Sequence, residues 1–272
     1  MIEAETVPIS VACDVVKLPR SSWYYVRCNT KDSEDRRIEE FLRECVAKRP
    51  RRGFWKCFKQ SRRLCCGWNH KRVYRIYKLL GLHQRRRAKY RLPARVQQPL
   101  VAPALPNASW SMDFMRDTLT SGRVFRTLNL IDEFNREVLA IEVDTSLPSE
   151  RVIRVLKQLS EGRSLPQSIR VDNGPEFIAE ALAEWSVENG VVLNFIPPGE
   201  PQKNGFIERL NRSFREDILD CYLFDTLDEV RDAVWDWQIE YNEERPHDSL
   251  NDLTPLEYRL RYEAQQAEVS MN

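Results

Sequence analysis

Residues 197–219 have the sequence PPGEPQKNGFIERLNRSFREDIL, which predicts a loop followed by an amphipathic helix. Four apolar residues recur at helical spacing and define a buried face: Ile207, Leu210, Phe214 and Ile218. Glu208 lies on the opposite edge, which it shares with Arg212 and Arg215 at the i, i+4 and i+7 positions. The stretch therefore predicts a helix that packs on a core and presents a carboxylate away from it.

The sequence before this helix predicts strands, because β-branched and aromatic runs alternate there with turn residues. Three runs predict an antiparallel meander, at residues 110–119, 124–134 and 137–145. Further strands are predicted at 168–172 and 191–196, and helices at 149–160, at 176–189 and after a capping box of Thr226 with Glu229. The order β-β-β-α-β-α-β-α predicts an α/β fold in which helices flank a mixed sheet.

Two more carboxylates occupy positions that a buried core does not favour. Asp113 interrupts the apolar strand WSMDFM (110–115), and Asp172 ends the strand SIRVD immediately before Asn173-Gly174. These acids and Glu208 converge if the helix packs across the sheet near the strand ends. Converging carboxylates repel one another unless cations lie between them, and hard oxygen ligands favour Mg²⁺ or Mn²⁺. Each acid alone also has an ordinary explanation, as a strand-edge acid, a turn-initiating Asx residue or an ion pair with Arg212.

The charge is divided unevenly along a chain whose formal net charge is only +1. Residues 1–100 hold 25 of the 42 Lys and Arg residues but 9 of the 41 Asp and Glu residues, and no acid lies between Glu44 and Asp113. A basic block of this size favours a polyanionic partner such as DNA or RNA. The alternative is a solvated basic face.

Within the basic block, helices are predicted at 33–48, near 54–64, and from an N-cap at Asn69 to a stop at Gly81. The last of these has a basic outer face, so the pattern is typical of a helix-turn-helix or of a small basic bundle. The candidate DNA-binding residues here are Lys71, Arg72, Arg75 and Lys78, followed in the linker by Arg85, Arg86 and Arg87.

The run from Trp110 to Tyr258 resembles the catalytic core of the DDE transposase and retroviral integrase superfamily. It is most similar to the second-frame (orfB) transposase of a bacterial insertion-sequence family with two overlapping reading frames. The blocks that carry this resemblance are WSMDFM, LNLIDEFNREVLAIEVDTSLPS, RVDNGPEF, PPGEPQKNGFIERLNRSFREDIL and YNEERPHDSLNDLTPLEY. The 35 residues between Asp172 and Glu208 match the interval for which that family is known. RRGFWKCFKQ and WNHKRVYRIYKLLGL are similar to its upstream helix-turn-helix.

The resemblance implies an RNase H-like fold with Asp113, Asp172 and Glu208 as catalytic and metal-binding residues. It implies two Mg²⁺ or Mn²⁺ ions, cleavage at an element's end and transfer of the freed 3′-OH to another phosphodiester. It also implies DNA contacts near the catalytic helix, by Gln202, Lys203, Asn204, Arg209, Arg212 and Arg215. Four acidic neighbours are excluded from the predicted site: Asp117, Asp132, Glu176 and Asp217. His247 is predicted to be a structural cap.

The predicted domains are an N-terminal segment (1–32), a helix-turn-helix-like DNA-binding region (33–90), a linker (91–108), the integrase-type core with its C-terminal helix (109–262) and a tail (263–272). The expected partners are DNA, further copies of the chain and the first-frame (orfA) protein or its fused segment. Two other functions stay open, a nuclease of the same fold and a non-catalytic DNA-binding protein. The absence of an apolar stretch of about 18 residues and the irregular cysteines favour a cytoplasmic, nucleoid-associated protein without a membrane partner.

Overall fold

Five strands form one mixed sheet, as the alternating apolar runs predict. The computed structural model describes residues 8–24, 30–64, 66–83, 100–197 and 201–270. The strands are β1 (Ser109–Thr118), β2 (Val124–Asp132), β3 (Val138–Asp144), β4 (Ser168–Val171) and β5 (Val192–Phe195). Their order across the sheet is β3-β2-β1-β4-β5. The first three pair antiparallel, whereas β4 and β5 run parallel to β1. The predicted α/β fold class is confirmed.

Both faces of the sheet are buried, and the two-residue period of a strand decides which side chain faces which side. In β1, Trp110 and Met112 face a core shared with α6 (Ser149–Gly162) and α8 (Glu180–Glu188). Met115, on the other face, packs in a core with residues of α9 (Gly205–Phe214) and α10 (Leu227–Ile239). The same alternation turns Asp113 toward the face that α9 covers.

The helix predicted at 176–189 is two helices, α7 (Pro175–Ile178) and α8, separated at Ala179. This residue has an extended backbone, with ψ 136°, which breaks the helical hydrogen-bond pattern. The apolar period continues across the break, and so the sequence pattern hides it. The helix predicted through residue 219 is α9 followed by a π-helical turn at Arg215–Leu219.

The capping box at Thr226 begins α10 as predicted, because its hydroxyl accepts a hydrogen bond from the backbone N–H of Glu229. A second π-helical turn, Glu240–Glu244, follows α10. The last helix, α11, runs from Pro255 to Ser270 and continues through the segment 263–270 that was predicted as a tail. The boundary predicted at residue 262 therefore does not coincide with the end of an element.

The N-terminal part is helical: α1 (Ile9–Val15), α2 (Arg20–Trp23), α3 (Thr30–Lys48), α4 (Phe54–Arg63) and α5 (His70–Leu79). The three helices predicted between 33 and 81 are present as α3, α4 and α5, and they share a small apolar core. Asn69 caps α5 by accepting a hydrogen bond from the N–H of Lys71. Gly81 ends the segment with φ +67°, a conformation that favours glycine. No helix among the described residues is long and apolar enough to cross a bilayer.

Ion pairs join the basic N-terminal helices to the acidic C-terminal part of the chain. Glu240 is buried between Arg49 and Arg52 and pairs with both guanidinium groups. More exposed pairs surround it: Lys48 with Glu244, Arg51 with Asp220, Lys59 with Asp248 and Asp252, and Arg63 with Glu257. Part of the basic block therefore neutralises this protein's own carboxylates, although its charge alone indicated an external polyanion.

Candidate active site

Asp113 and Asp172 are brought together by the parallel pairing of β1 with β4. Ser111 of β1 pairs with Arg170 of β4. The ladder ends at this pair, and Asp172 follows the end of β4 two residues later, so the register directs the chain toward the level of Asp113. Asp113 is half-buried within its strand, whereas Asp172 follows the end of β4 and is exposed.

Helix α9 brings the third acid to the same region of the sheet. Its apolar side chains, Ile207, Leu210 and Phe214, are fully buried in the core that Met115 also joins. Glu208 therefore lies beside this buried stripe and is exposed in the first turn of α9. The predicted packing of the catalytic helix across the sheet is present.

The electrostatics of Asp113 link the three acids. Burial raises the pKa of the Asp113 carboxyl to about 6, and the negative charges of Asp172 and Glu208 add to the rise. Hydrogen bonds from the backbone N–H of Phe114 and from the side chain of Asn211 act against it. Asp172 and Glu208 are therefore each within electrostatic reach of Asp113. As they stand, no three His, Cys, Asp or Glu side chains in the described ranges are arranged to hold a metal ion.

Asn211 is a site residue that the sequence interpretation missed. Its amide donates to Asp113 Oδ2 at 2.7 Å and accepts from Asn129 Nδ2 at 2.7 Å. Asn129 is fully buried and is the cross-strand partner of Asp113. A signal for Asn211 exists in the sequence, because it follows Glu208 by three residues and so shares its side of α9.

The loop after β4 holds Asp172 closely. Asp172 Oδ1 accepts a hydrogen bond from the backbone N–H of Gly174 at 2.9 Å. A Cβ added at Gly174 would lie 2.9 Å from the same oxygen, so a side chain there would displace the carboxylate. The Asn173 side chain donates to the backbone carbonyl of Ile196 and ties this loop to the end of β5. Asn173 and Gly174 therefore fix the position of the Asp172 carboxylate.

The candidate DNA-binding residues of α5 are only partly available to a ligand. Arg72 pairs with Glu34 and Asp35, and Arg75 pairs with Asp35. Lys78 lies over the ring of Tyr74, and Lys71 is exposed. The prediction that all four cations face outward did not include the acids of α3, which neutralise two of them. Arg85, Arg86 and Arg87 lie outside the described residues.

The candidates near α9 have different environments. Lys203, Arg209 and Arg212 are exposed, whereas Arg215 pairs with Asp117 at 3.0 Å and donates to the carbonyl of Arg116. Asn204 is buried, with 6% exposure, which contradicts its predicted position on a DNA-facing loop. The 3-10 helix Pro201–Asn204 turns this side chain inward at the start of α9; the same helix includes the backbone of Gln202.

The four acids left outside the predicted site have structural partners. Asp132 accepts hydrogen bonds from the backbone of Asn107 and Phe134. The other three are paired with arginines: Asp117 with Arg215, Glu176 with Arg126 and Asp217 with Arg245. The backbone of His247 organises a turn, because its carbonyl accepts from the N–H groups of Leu250 and Asp252. The cap is therefore made by the backbone of His247, while its ring packs edge-on against Tyr241.

Comparison with known proteins places this chain in a family. Models of the integrase core domain match residues 103–201 and 189–255. The chain is 36% identical over 253 residues to the insertion element IS407 31.7 kDa protein of Burkholderia multivorans, a match covering 93% of this chain and 91% of that protein. A transposase-like protein of Haemophilus influenzae is 24% identical over 206 residues, with 71% and 94% covered.

Among solved structures, the trimeric HTLV-2 integrase catalytic core domain in complex with magnesium is similar at 20% identity and a TM-score of 0.45. The similarity covers 57% of this chain and 97% of that one.

Proposed function

Since the chain belongs to the integrase core domain family of insertion-element proteins, we propose that it acts in DNA transposition with Asp113, Asp172 and Glu208 as its catalytic carboxylates. The observation that carries this assignment is that the pairing of β1 with β4 and the packing of α9 on the sheet bring Asp172 and Glu208 near enough to raise the pKa of Asp113.

The donor set suits a hard divalent cation. Three carboxylates at one edge of a sheet repel one another, and Asp113 is half-buried where that repulsion is least screened. We propose Mg²⁺ or Mn²⁺, two ions together, with Asp113, Asp172 and Glu208 as the protein ligands. When bound, such ions supply Lewis-acid activation of the attacking oxygen and charge stabilisation at phosphorus. Asn211 and the N–H of Phe114 hold the Asp113 carboxylate in one orientation, and Gly174 does so for Asp172.

The chemistry would proceed in two in-line displacements. In the first, water attacks a phosphodiester at the element's end, so that a P–O bond breaks and a 3′-OH leaves. In the second, this hydroxyl attacks a phosphodiester of the target strand, a new P–O bond forms and the displaced strand leaves with its own 3′-OH. Neither step needs a covalent bond to the protein.

The partners follow from the same proposal. DNA supplies both the element ends and the target. Two ends must be held together for joining, so we propose that several copies of the chain assemble on DNA. The first-frame (orfA) protein, or its fused segment, would add binding specificity for the ends. A cytoplasmic, nucleoid-associated location stays a prediction.

The test is a joining assay with labelled duplexes that end in the inverted repeats flanking the coding DNA. With Mg²⁺ or Mn²⁺, we expect a shortened strand and a larger joined product, and neither product in the presence of EDTA. The assay is run with and without the first-frame protein. Cleavage without joining would identify a nuclease, and DNA binding without either product would identify a non-catalytic protein; both results contradict the proposal.

Replacing Asn211 with Leu tests the positioning of Asp113. We expect the Mg²⁺ concentration for half-maximal joining to rise about tenfold, because the carboxylate loses the amide that orients it. The control is Asn129→Leu, which removes the far end of the same hydrogen-bonded chain and leaves Asp113 its contact with Asn211. Equal Mg²⁺ requirements in the two variants, at similar melting temperatures, would assign Asn211 to fold stability alone.

A further inference from the structure

A cationic pocket of about 450 Å³ is lined in part by residues of α9, among them Phe206 and Arg209. Four elements meet there and contribute basic side chains: Lys56 from α4, Arg136 from the turn between β2 and β3, Arg209 from α9, and Arg245 after α10. His247 and Phe206 also line the pocket. The pocket therefore joins the N-terminal helices, the sheet and the catalytic helix, and its position was not expected from the sequence.

The positive charge of this pocket is largely uncompensated. Arg245 is neutralised by buried Asp217, and Asp248, at the rim, is bound by Lys59. Among the described residues, neither Lys56 nor Arg209 forms an ion pair with a carboxylate. The charges of Glu133 and Asp132 act on Arg136, but it too forms no ion pair with a carboxylate among the described residues.

The position of Arg136 in this pocket is energetically unfavourable in two respects, its side-chain hydrogen bonding and its backbone conformation. Its guanidinium lies 3.7 Å from the ring centroid of Phe206, and its Nη1 is buried with no hydrogen-bond partner in the described part of the chain. Its backbone has φ 61°, a left-handed conformation that is rare for residues other than glycine. A buried donor without an acceptor destabilises the fold, and a bound acceptor would offset this cost.

Burial and the positive charges of the pocket lower the pKa values of both Lys56 and His247. Burial lowers the pKa of Lys56 to about 8, and the nearby charges of Arg245 and Arg209 contribute to this. Burial and the positive charge of Arg245 and Lys56 lower the pKa of His247 to about 3, so its ring is neutral at pH 7. Its Nε2 is buried and has no partner among the described residues. An anion in the pocket would stabilise the ammonium of Lys56.

We propose that Lys56, Arg136 and Arg209 bind a phosphodiester group of a DNA strand whose neighbouring segment lies at the carboxylates. This inference rests on the proposed function and adds a phosphate site to it. Arg209 directly follows Glu208, so the pocket begins within one residue of the catalytic acids. Leu100, on its rim, is preceded by residues 84–99, which contain six Lys and Arg residues and no acid.

The test is the salt dependence of DNA binding, measured in EDTA so that no reaction occurs. Arg209→Gln and Lys56→Gln each remove one pocket cation, and Arg209 is exposed, so its variant keeps the fold. For each, we expect the slope of log K against log salt to become shallower by about 0.9, the value for one lost phosphate contact. The control is Arg43→Gln, which removes an exposed cation of α3 that pairs with Glu39; its slope should equal that of the unsubstituted chain.

Unchanged slopes in both pocket variants would overturn the proposal. A second arm measures melting temperature in inorganic phosphate against chloride at equal ionic strength. If phosphate stabilises the unsubstituted chain but not Arg209→Gln while the DNA slopes stay equal, the pocket binds a small free anion, which also overturns it. The joining assay reports separately on the proposed function, so joining with unchanged slopes refutes this site alone, and altered slopes without joining refute the catalytic assignment alone.

Discussion

Replacing Asp172 with Asn is expected to lower the rate of strand joining by about 10³-fold, on the order of 4 kcal/mol in activation free energy, while DNA binding is retained. The substitution removes a negative charge from the proposed metal ligands without changing the size of the side chain. The fold should tolerate it, because Asp172 is exposed and Asn Oδ1 can still accept from the N–H of Gly174. The measurement is the initial rate of joining of a labelled element end in Mg²⁺.

Asp144→Asn is the matched control. Asp144 ends β3 in the same sheet and pairs with Arg151, which places its charge in a structural contact away from α9. We expect its joining rate to stay within about threefold of the unsubstituted chain, since Asp144 is outside the proposed set of metal ligands. Joining that persists in Asp172→Asn at the rate of this control would remove Asp172 from the catalytic assignment.

Replacing Glu240 with Ala is expected to destabilise the protein by about 3–5 kcal/mol, because two buried guanidinium groups lose their counter-charge. Glu240 is 4% exposed, and Arg49 and Arg52 are 6% and 8% exposed. Neither arginine can regain full hydration without separating α3 and α4 from the segment after α10. Urea unfolding followed by tryptophan fluorescence measures the loss.

The neighbouring pair supplies the comparison for this prediction. Lys48 and Glu244 are each about half exposed and lie 3.1 Å apart, so Glu244→Ala should cost under about 1 kcal/mol. A similar small loss for Glu240→Ala would mean that water reaches Arg49 and Arg52, and that the two regions are joined by apolar contacts instead.

The sheet and the positions of the proposed catalytic acids could be predicted because their signals are local. The alternation of Trp110, Met112 and Phe114 predicts the strand and places Asp113 on its other face, and the stripe of α9 places Glu208 beside the core. Side-chain period and helical period are properties of a few consecutive residues. These two periods decide which face of its strand or helix each acid occupies, and strand pairing then brings those faces together.

The parts that could not be predicted depend on pairs far apart in the chain. Arg52 and Glu240 are separated by 188 positions, and no local pattern indicates that they meet. The same holds for the pocket, whose cations come from four elements. Asn211 was missed for another reason, since a polar residue on the outer side of an amphipathic helix also fits plain solvation.

The buried position of Glu240 has a consequence for dissecting this protein. A fragment starting at residue 100 would keep the whole sheet and all three catalytic acids, yet it would leave Glu240 without either arginine. The fragment would also lose 25 of the chain's 42 Lys and Arg residues but only 9 of its 41 Asp and Glu residues, so its acids would outnumber its cations and repel one another. The two parts should therefore be purified as one polypeptide, because Glu240 in the C-terminal part needs the buried arginines of the N-terminal part as its counter-charges.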